Sequence, residues 1–378
     1  MQVVYATQEP PASWRHAIFL AGPSPRDPQT PSWRPEALQL LRGMGYEGVV
    51  FVPEPPDNQW STSYHDQTSW ERMGLEMADK VVFWIPRDLR VMPAFTTNVE
   101  FGRYCREGKA VLGFPEGSPK NRYLDWLARV ENVPVFHDLS QTLAKAIEGS
   151  GEGDVRSSGA RYVPKDIFQT PMFQSWYQNL LRVGNRLDKA EVLWDFRLNN
   201  KVFSYVLKVD IFVAAEGRHK TNEFVFARTD ISATVLHNSE DDEIVLIKEF
   251  RSPARTPDGF VTEAPGGSCE DLDNNPQRSA AREVYEECGV AFAEDRFRYV
   301  GSHQAVGTLS SHHVHCFAVD ASREEMAQLK ALADKESFGV DEEERTYVRV
   351  MTVSEMLASG EPDWLTYGLV FKALLGRA

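Results

Sequence analysis

The apolar and polar positions of this 378-residue chain follow two different rhythms. In the first, short runs that are apolar at nearly every position alternate with stretches whose apolar residues recur every three or four positions. Ala17 to Ala21, Val49 to Val52, Val81 to Ile85, Ala110 to Phe114 and Val133 to Phe136 read as strands, and Arg34 to Gly43, Ser69 to Met77 and Thr97 to Arg106 as helices among them. A strand that is apolar on both faces has to be covered on both. The alternation therefore predicts a parallel sheet between two layers of helices, with ligands expected beyond the carboxyl ends of the strands.

The second rhythm begins after GSGEGDVRSSGA (149–160), a small, polar, glycine-rich stretch without apolar periodicity that reads as a linker. Helical spacing near Met172 to Val183 gives way to strand-like runs at Lys201 to Val213, Glu223 to Arg228, Ile231 to Leu236 and Ile244 to Glu249. A helix at Pro276 to Cys288 follows, then strands near Phe297 to Val300, His313 to Val319 and Tyr347 to Met351, with helices at Glu324 to Ala333 and Val353 to Ala358. The pattern predicts an α/β chain of two domains. Residues 1–150 build a doubly wound, flavodoxin-like parallel sheet, 151–160 link, and 161–378 build a mixed sheet with helices.

Composition narrows the function classes. No run of about 18 apolar residues offers a membrane span, and the first residues, MQVVYATQEPPASW, lack the basic flank and apolar core of a secretory signal. Cys105, Cys269, Cys288 and Cys316 have no paired metal-ligand spacing and read as free thiols in a reducing cytoplasm. A formal net charge of −14 argues against a nucleic-acid partner, which requires a basic surface. A small anionic substrate stays open, because a few arginines and a metal ion reverse the potential inside one cleft.

The densest chemistry lies in GGSCEDLDNNPQRSAAREVYEECGV (266–290). Asn275 suits a helix cap, Pro276 its first turn and Gly289 its left-handed stop. Ala280, Val284 and Cys288 recur at helical spacing and are expected to face the core. Glu283, Glu286 and Glu287 stand at i, i+3 and i+4, which places three carboxylates in one neighbourhood. Like charges so close repel unless a cation sits among them, and hard oxygen ligands suit Mg²⁺ or Mn²⁺. Arg282 is placed to orient one of them. The bland reading of the same residues is a solvated acidic helix face.

Arg282 to Val290 (REVYEECGV) resembles the core of the Nudix box, R-E-U-x-E-E-x-G-U. The upstream half is one residue longer than usual, with Asp273 or Asn274 where a glutamate is expected. The approach to the box, Val245 to Arg251 (VLIKEFR) and Glu263 to Gly267 (EAPGG), is similar to that of ADP-ribose pyrophosphatases. The resemblance implies a Nudix α/β/α sandwich, with metal held by Glu283, Glu286, Glu287 and the Gly266 carbonyl. It further implies a catalytic role for Glu286, substrate contacts from Arg251 and Glu263, and structural roles for Arg282 and Gly289. A general base is expected from a later loop, where Asp341-Glu342-Glu343-Glu344 stands. Glu343 is the choice, with its neighbours open. Ser310 to His313 replaces the acidic residue of many ADP-ribose pyrophosphatases. A homodimer is also implied, with Phe173 to Val183 apolar enough to form its interface.

Ala17 to Gln141 resembles the nucleoside 2-deoxyribosyltransferase-like family through IFLAGP (18–23), Trp70-Glu71, ADKVVF (78–83) and TNVEFG (97–102). By that likeness Glu100 is the catalytic glutamate, and Glu71 an acid near the scissile N-glycosidic bond. A carboxylate suits the oxocarbenium character that such cleavage develops. The transferases' aspartate, six residues before the glutamate, is here Ala94. Thr97-x-x-Glu100 and Thr68-x-x-Glu71 also spell helix capping boxes, which need no catalysis. Six tryptophans (Trp14, Trp33, Trp60, Trp70, Trp84 and Trp126) precede the linker, as base-stacking or core residues.

The expected activity is Mg²⁺-dependent hydrolysis of a nucleoside diphosphate linked to another moiety, such as ADP-ribose, with N-glycosidic cleavage by the first domain as an added step. The competing readings are a non-catalytic nucleotide-binding or assembly domain before a Nudix enzyme, and a nucleotide sensor.

Overall fold

The structure, a computed structural model, describes residues 1–27, 29–56, 63–198, 201–269, 275–333, 337–339 and 345–375. Contacts divide the chain into two compact units. The first is Met1–Leu193 with Leu207–Glu223, the second Trp194–Val206 with Phe224–Ala378. A three-stranded sheet, ordered Arg218–Arg228, Lys201–Val213 and Arg186–Leu198, contributes to both. The Arg186–Leu198 strand escaped the sequence reading because charged residues interrupt its apolar positions. No helix among the described residues is long and apolar enough to cross a membrane.

The first unit carries an all-parallel sheet in the order Gln2–Tyr5, Val49–Val52, Ala17–Ala21, Lys80–Trp84, Ala110–Gly113 and Val135–Phe136. Counted from Ala17–Ala21 the order is 2-1-3-4-5, the flavodoxin-like winding, with Gln2–Tyr5 added at the edge. The apolar runs are buried on both faces as expected. Phe19, Val81 and Phe83 enter one core, and Ile18, Leu20, Val82 and Trp84 the other. The winding reverses between Ala17–Ala21 and Lys80–Trp84, which opens a crevice at their carboxyl ends.

The stretch read as a linker is not a free tether. Arg156–Ser157 pairs with the short strand Ser13–Trp14. Arg156 is buried, bonded to Asp79 and donating to the Val163 carbonyl at 2.8 Å. A partner 77 residues away leaves no trace in local composition. The helix Pro171–Arg182 also differs from expectation. Phe173 and Tyr177 are buried against Phe168 within the unit, while Leu181 and Val183 are exposed.

The second unit holds a mixed sheet in the order Arg298–Gln304, His313–Asp320, Ile231–Asn238, Glu243–Phe250, Thr346–Thr352 and Ser337–Phe338. Phe260–Glu263 pairs with Glu243–Phe250, and Gly266–Ser268 with Ile231–Asn238. Ile231–Asn238 and His313–Asp320 run parallel, and the other pairings are antiparallel. Val245 and Ile247 point into one core with Ala280, Val284 and Cys288. Ile244 and Leu246 point into the other with Met356 and Leu369. Pro276–Cys288 and Arg323–Leu332 thus cover one face, and Val353–Ser359 and Trp364–Leu375 the other, an α/β/α sandwich. Trp364–Leu375 was missed because WLTYGLVFKALL is apolar nearly all round and shows no one-sided stripe.

Candidate active sites

In the second unit the helix Pro276–Cys288 is set as its sequence dictates. The Asn275 side chain accepts from the Gln277 and Arg278 N–H groups at 3.1 and 3.4 Å. Gly289 ends the helix at φ 71°, its N–H donating to Tyr285. Because Ala280, Val284 and Cys288 are fully buried, Glu283, Glu286 and Glu287 are turned toward the strand Gly266–Ser268 and line one cleft of about 520 Å³ with it. The two glycines permit this approach. A Cβ at Gly266 would lie 2.3 Å from the Ser232 carbonyl oxygen, and one at Gly267 2.5 Å from the Glu283 carboxylate. The Gly266 N–H donates to Glu287 Oε2 at 2.8 Å.

The charges in this cleft are partly matched. Arg282 donates to Glu286 at 2.6 Å and to Glu283 at 2.8 Å, so it bridges two carboxylates where one was expected. Arg251 donates to Glu263 from Nε and Nη2 at 3.0 and 2.6 Å and meets Glu249 at 2.9 Å. Glu287 is left crowded. Burial, then the neighbouring Glu283, hold its carboxyl well above the usual range, against the opposing Gly266 N–H. Among the described residues the trio whose ligand atoms lie within 4.8 Å of one another is Asp188, Asp210 and His219, in the first unit. The helix glutamates are spread wider, with Arg282 between two of them. Asp188 is already paired with Arg186 and His219, whereas the helix set lies in a cleft with a crowded, buried member. Hard oxygen donors, a glycine cradle and that crowding fit a divalent cation.

Glu343, with Glu342 and Glu344, lies outside the described residues, as do Asp273, Asn274 and Trp60. Thr346, just after the acidic segment, donates to the Glu287 carbonyl at 3.1 Å, which ties the following strand to the end of the glutamate helix. Two features of the cleft were not foreseen. Leu365, Thr366 and Leu369 of the missed helix join Ile231 and Val314 as its largely apolar wall, and Arg228 lines its polar side. A lone arginine in a strand carries no signal that distinguishes it from a solvated one.

In the first unit, Glu71 and Glu100 line a separate cleft of about 400 Å³ that also includes Ala21, Gly22 and Arg34, at the reversal of the sheet winding. Glu71 comes from Tyr64–Met77 and Glu100 from Phe95–Tyr104. Neither belongs to a capping box. The first helix is capped by Ser63, and Thr68 lies inside it, bonded to the Tyr64 carbonyl at 3.0 Å. The second begins after Ala94, which is left-handed at φ 58° and makes no side-chain cap. Arg87 fixes this entry, donating to the Pro93 carbonyl at 2.9 Å and to Asn98 at 2.7 Å. The described tryptophans Trp14, Trp33, Trp70 and Trp84 are core residues, and Trp126 is exposed.

Arg34 is fully buried and committed elsewhere, to Glu54 and to the carbonyls of Leu20 and Gly22 at 3.1 and 2.7 Å. Burial, then Glu71, push the Glu100 carboxyl up to about 7, and Arg34 pulls it back only in part. Burial raises Glu71 as well, opposed by the Gln67 amide at 2.7 Å and by Arg34. Two neighbouring carboxyls with raised proton affinities, Glu100 to about 7, are suited to giving and taking protons.

Residues 15–118 match the family described as nucleoside 2-deoxyribosyltransferase like, and residues 228–366 match the NUDIX domain. No curated protein matches the chain. The chain therefore carries a nucleoside 2-deoxyribosyltransferase-like domain followed by a NUDIX domain, which supports hydrolysis of nucleoside diphosphate derivatives.

Proposed function

We propose that the second unit hydrolyses, with Mg²⁺ or Mn²⁺, a nucleoside diphosphate linked to another moiety, ADP-ribose or a similar nucleotide sugar. The observation that carries this is the meeting of Glu283, Glu286 and Glu287 with Gly266 and Arg251 in one cleft. The three carboxylates and the Gly266 carbonyl are the residues that would hold the cation. Bound there, a divalent ion lowers the pKa of water and stabilises charge on the bridging phosphates. The chain's own part is to keep Glu283 and Glu286 oriented through Arg282, and to present Arg251, preset by Glu263, to the diphosphate. Water adds to one phosphorus as the P–O–P bond breaks, leaving a nucleoside monophosphate and a phosphorylated second product. Glu343, in the acidic segment before Thr346, is the proposed acceptor of the water's proton.

The test is a turnover screen over nucleoside-diphosphate compounds with Mg²⁺, read by release of nucleoside monophosphate. Glu287→Gln is expected to lower turnover by about two to four orders of magnitude, the rate equivalent of several kcal/mol of lost charge stabilisation. Wild-type-like turnover in that variant at saturating Mg²⁺ would remove the metal assignment.

A second reading applies to the first unit, supported by the raised Glu100 and its partner Glu71. Here Glu100 acts on an N-glycosidic bond and Glu71 assists the leaving base. Either the nucleoside monophosphate from the NUDIX cleft is the substrate, or base removal from a dinucleotide precedes diphosphate cleavage. The homodimer is proposed on the ADP-ribose pyrophosphatase likeness and the exposed Trp194, Phe196 and Phe224. A monomeric mass in light scattering at micromolar concentration counts against it.

A further inference from the structure

In the NUDIX cleft every arginine but one is matched to carboxylates among the described residues. Arg282 holds Glu283 and Glu286, and Arg251 holds Glu249 and Glu263. Arg228 lines the same cleft with no carboxylate partner among those residues. Its Nη2 donates to the Ser268 hydroxyl at 2.6 Å, its guanidinium lies 5.9 Å from the Phe203 ring centroid, and its Nε is buried without a hydrogen-bond partner. Burial, then the like charge of Arg251, push its guanidinium below the usual value.

A half-buried cation set beside a second cation is an unfavourable arrangement on its own. It is more notable in a chain with a net charge of −14, where carboxylates are abundant. Ser268 belongs to the strand whose Gly267 packs on Glu283, so Arg228 is fixed to the edge of the metal-binding cradle proposed above. Planar guanidinium donors suit phosphate oxygens, and two guanidinium groups in one cleft match the two negative phosphates of a diphosphate.

We propose that Arg228 is a second phosphate-binding residue of the NUDIX cleft, which together with Arg251 holds the substrate diphosphate, with Ser268 as its positioning residue. The proposal rests on the diphosphate reading of this cleft and assigns the charged contact that the Arg251–Glu263 pair leaves open. It also specifies the substrate class. A diphosphate with both phosphates ionised is held, and a nucleoside or a monophosphate is held much less well.

The experiment is calorimetric binding of α,β-methylene-ADP, whose diphosphate link resists hydrolysis, to the full chain with Mg²⁺, with adenosine as the uncharged control. Arg228→Gln is expected to weaken binding about 10- to 100-fold, the usual scale for a lost charge-assisted contact. Arg228→Lys should recover part of the loss, Ser268→Ala should cause a smaller one, and adenosine binding should not change. Circular dichroism and thermal midpoints check that the variants are folded, and the lysine variant guards against a folding artefact. Equal binding by wild type and Arg228→Gln overturns the proposal, and so does a wild type that does not bind the analogue. Turnover of wild type is scored separately. Binding that depends on Arg228 without any metal-dependent turnover sinks the hydrolase reading and leaves Arg228 in place.

Discussion

The two clefts each gather acidic side chains on helices, yet they deal with the repulsion differently. In the NUDIX cleft three glutamates come from one helix, arginines match several of the cleft's carboxylates, and Glu287 is left crowded in a set of hard oxygen donors. In the first unit Glu71 and Glu100 come from two helices, and among the described residues the one buried arginine lining their cleft, Arg34, is engaged with Glu54 and backbone carbonyls. There burial, then Glu71, raise the Glu100 carboxyl to about 7, so the pair holds a proton more readily than a free carboxylate does. A crowded set of oxygen donors is suited to a metal ion, while a pair with raised proton affinity is suited to acid–base work. Acidic residues alone do not distinguish these. Their spacing and the commitments of nearby arginines do.

The largest effect that separates the clefts is expected from Glu100→Ala. If the first cleft works through its proton, this variant loses free-base release by about two to four orders of magnitude, the range for a removed acid–base group. Diphosphate cleavage should stay within about twofold of wild type, because the two clefts share no lining residue. A wild type that releases no base from any nucleoside monophosphate or dinucleotide would make the first unit a binding module. A variant that lost both activities would break the separation itself.

Gly267→Ala probes the position of one carboxylate in the NUDIX cleft. A Cβ there meets the Glu283 carboxylate at 2.5 Å, the far end of a side chain that is able to move. Stability should change little, while displacement of a ligand by about an ångström lowers turnover on the order of 100-fold. Unchanged kcat with folded protein would show that Glu283 need not sit where the strand approaches it.

The proton side makes a smaller, pH-dependent prediction. A carboxyl raised in the folded state contributes stability that is fully present below its unfolded pKa of 4.5 and lost as pH rises through about 7. Glu100→Gln removes that loss. It should therefore stabilise the full chain at pH 8 relative to wild type, by about 1–3 kcal/mol, and show no such gain at pH 4. Denaturant titrations at the two pH values measure this. A gain of equal size at both would mean that repacking, and not the carboxyl's charge, is the cause.

What could be read in the sequence follows from the same contrast. The glutamate helix is a local object, so its cap at Asn275, its stop at Gly289, its buried stripe and its clustered carboxylates were all legible within 15 residues. The apolar strand runs of the first sheet, and the parallel sheet they imply, were legible for the same reason. Arg156 in the supposed linker and Arg228 in the NUDIX cleft were not, because each takes its meaning from a partner distant in sequence, and the helix Trp364–Leu375 was not, because it is apolar nearly all round. The capping-box reading of Thr97 and Glu100 failed similarly. The helix starts at Phe95 because Arg87 and a left-handed Ala94 fix its entry, which a four-residue pattern cannot register.

Whether the helix glutamates form the cation site can be measured without any substrate, by titrating Mn²⁺ into the full chain in a calorimeter. A cation site on that helix gives a tight component that Mg²⁺ competes away, that Glu287→Gln abolishes, and that survives in Asp210→Asn, where the closer trio of Asp188, Asp210 and His219 is disrupted. A tight component retained in Glu287→Gln and lost in Asp210→Asn would contradict it.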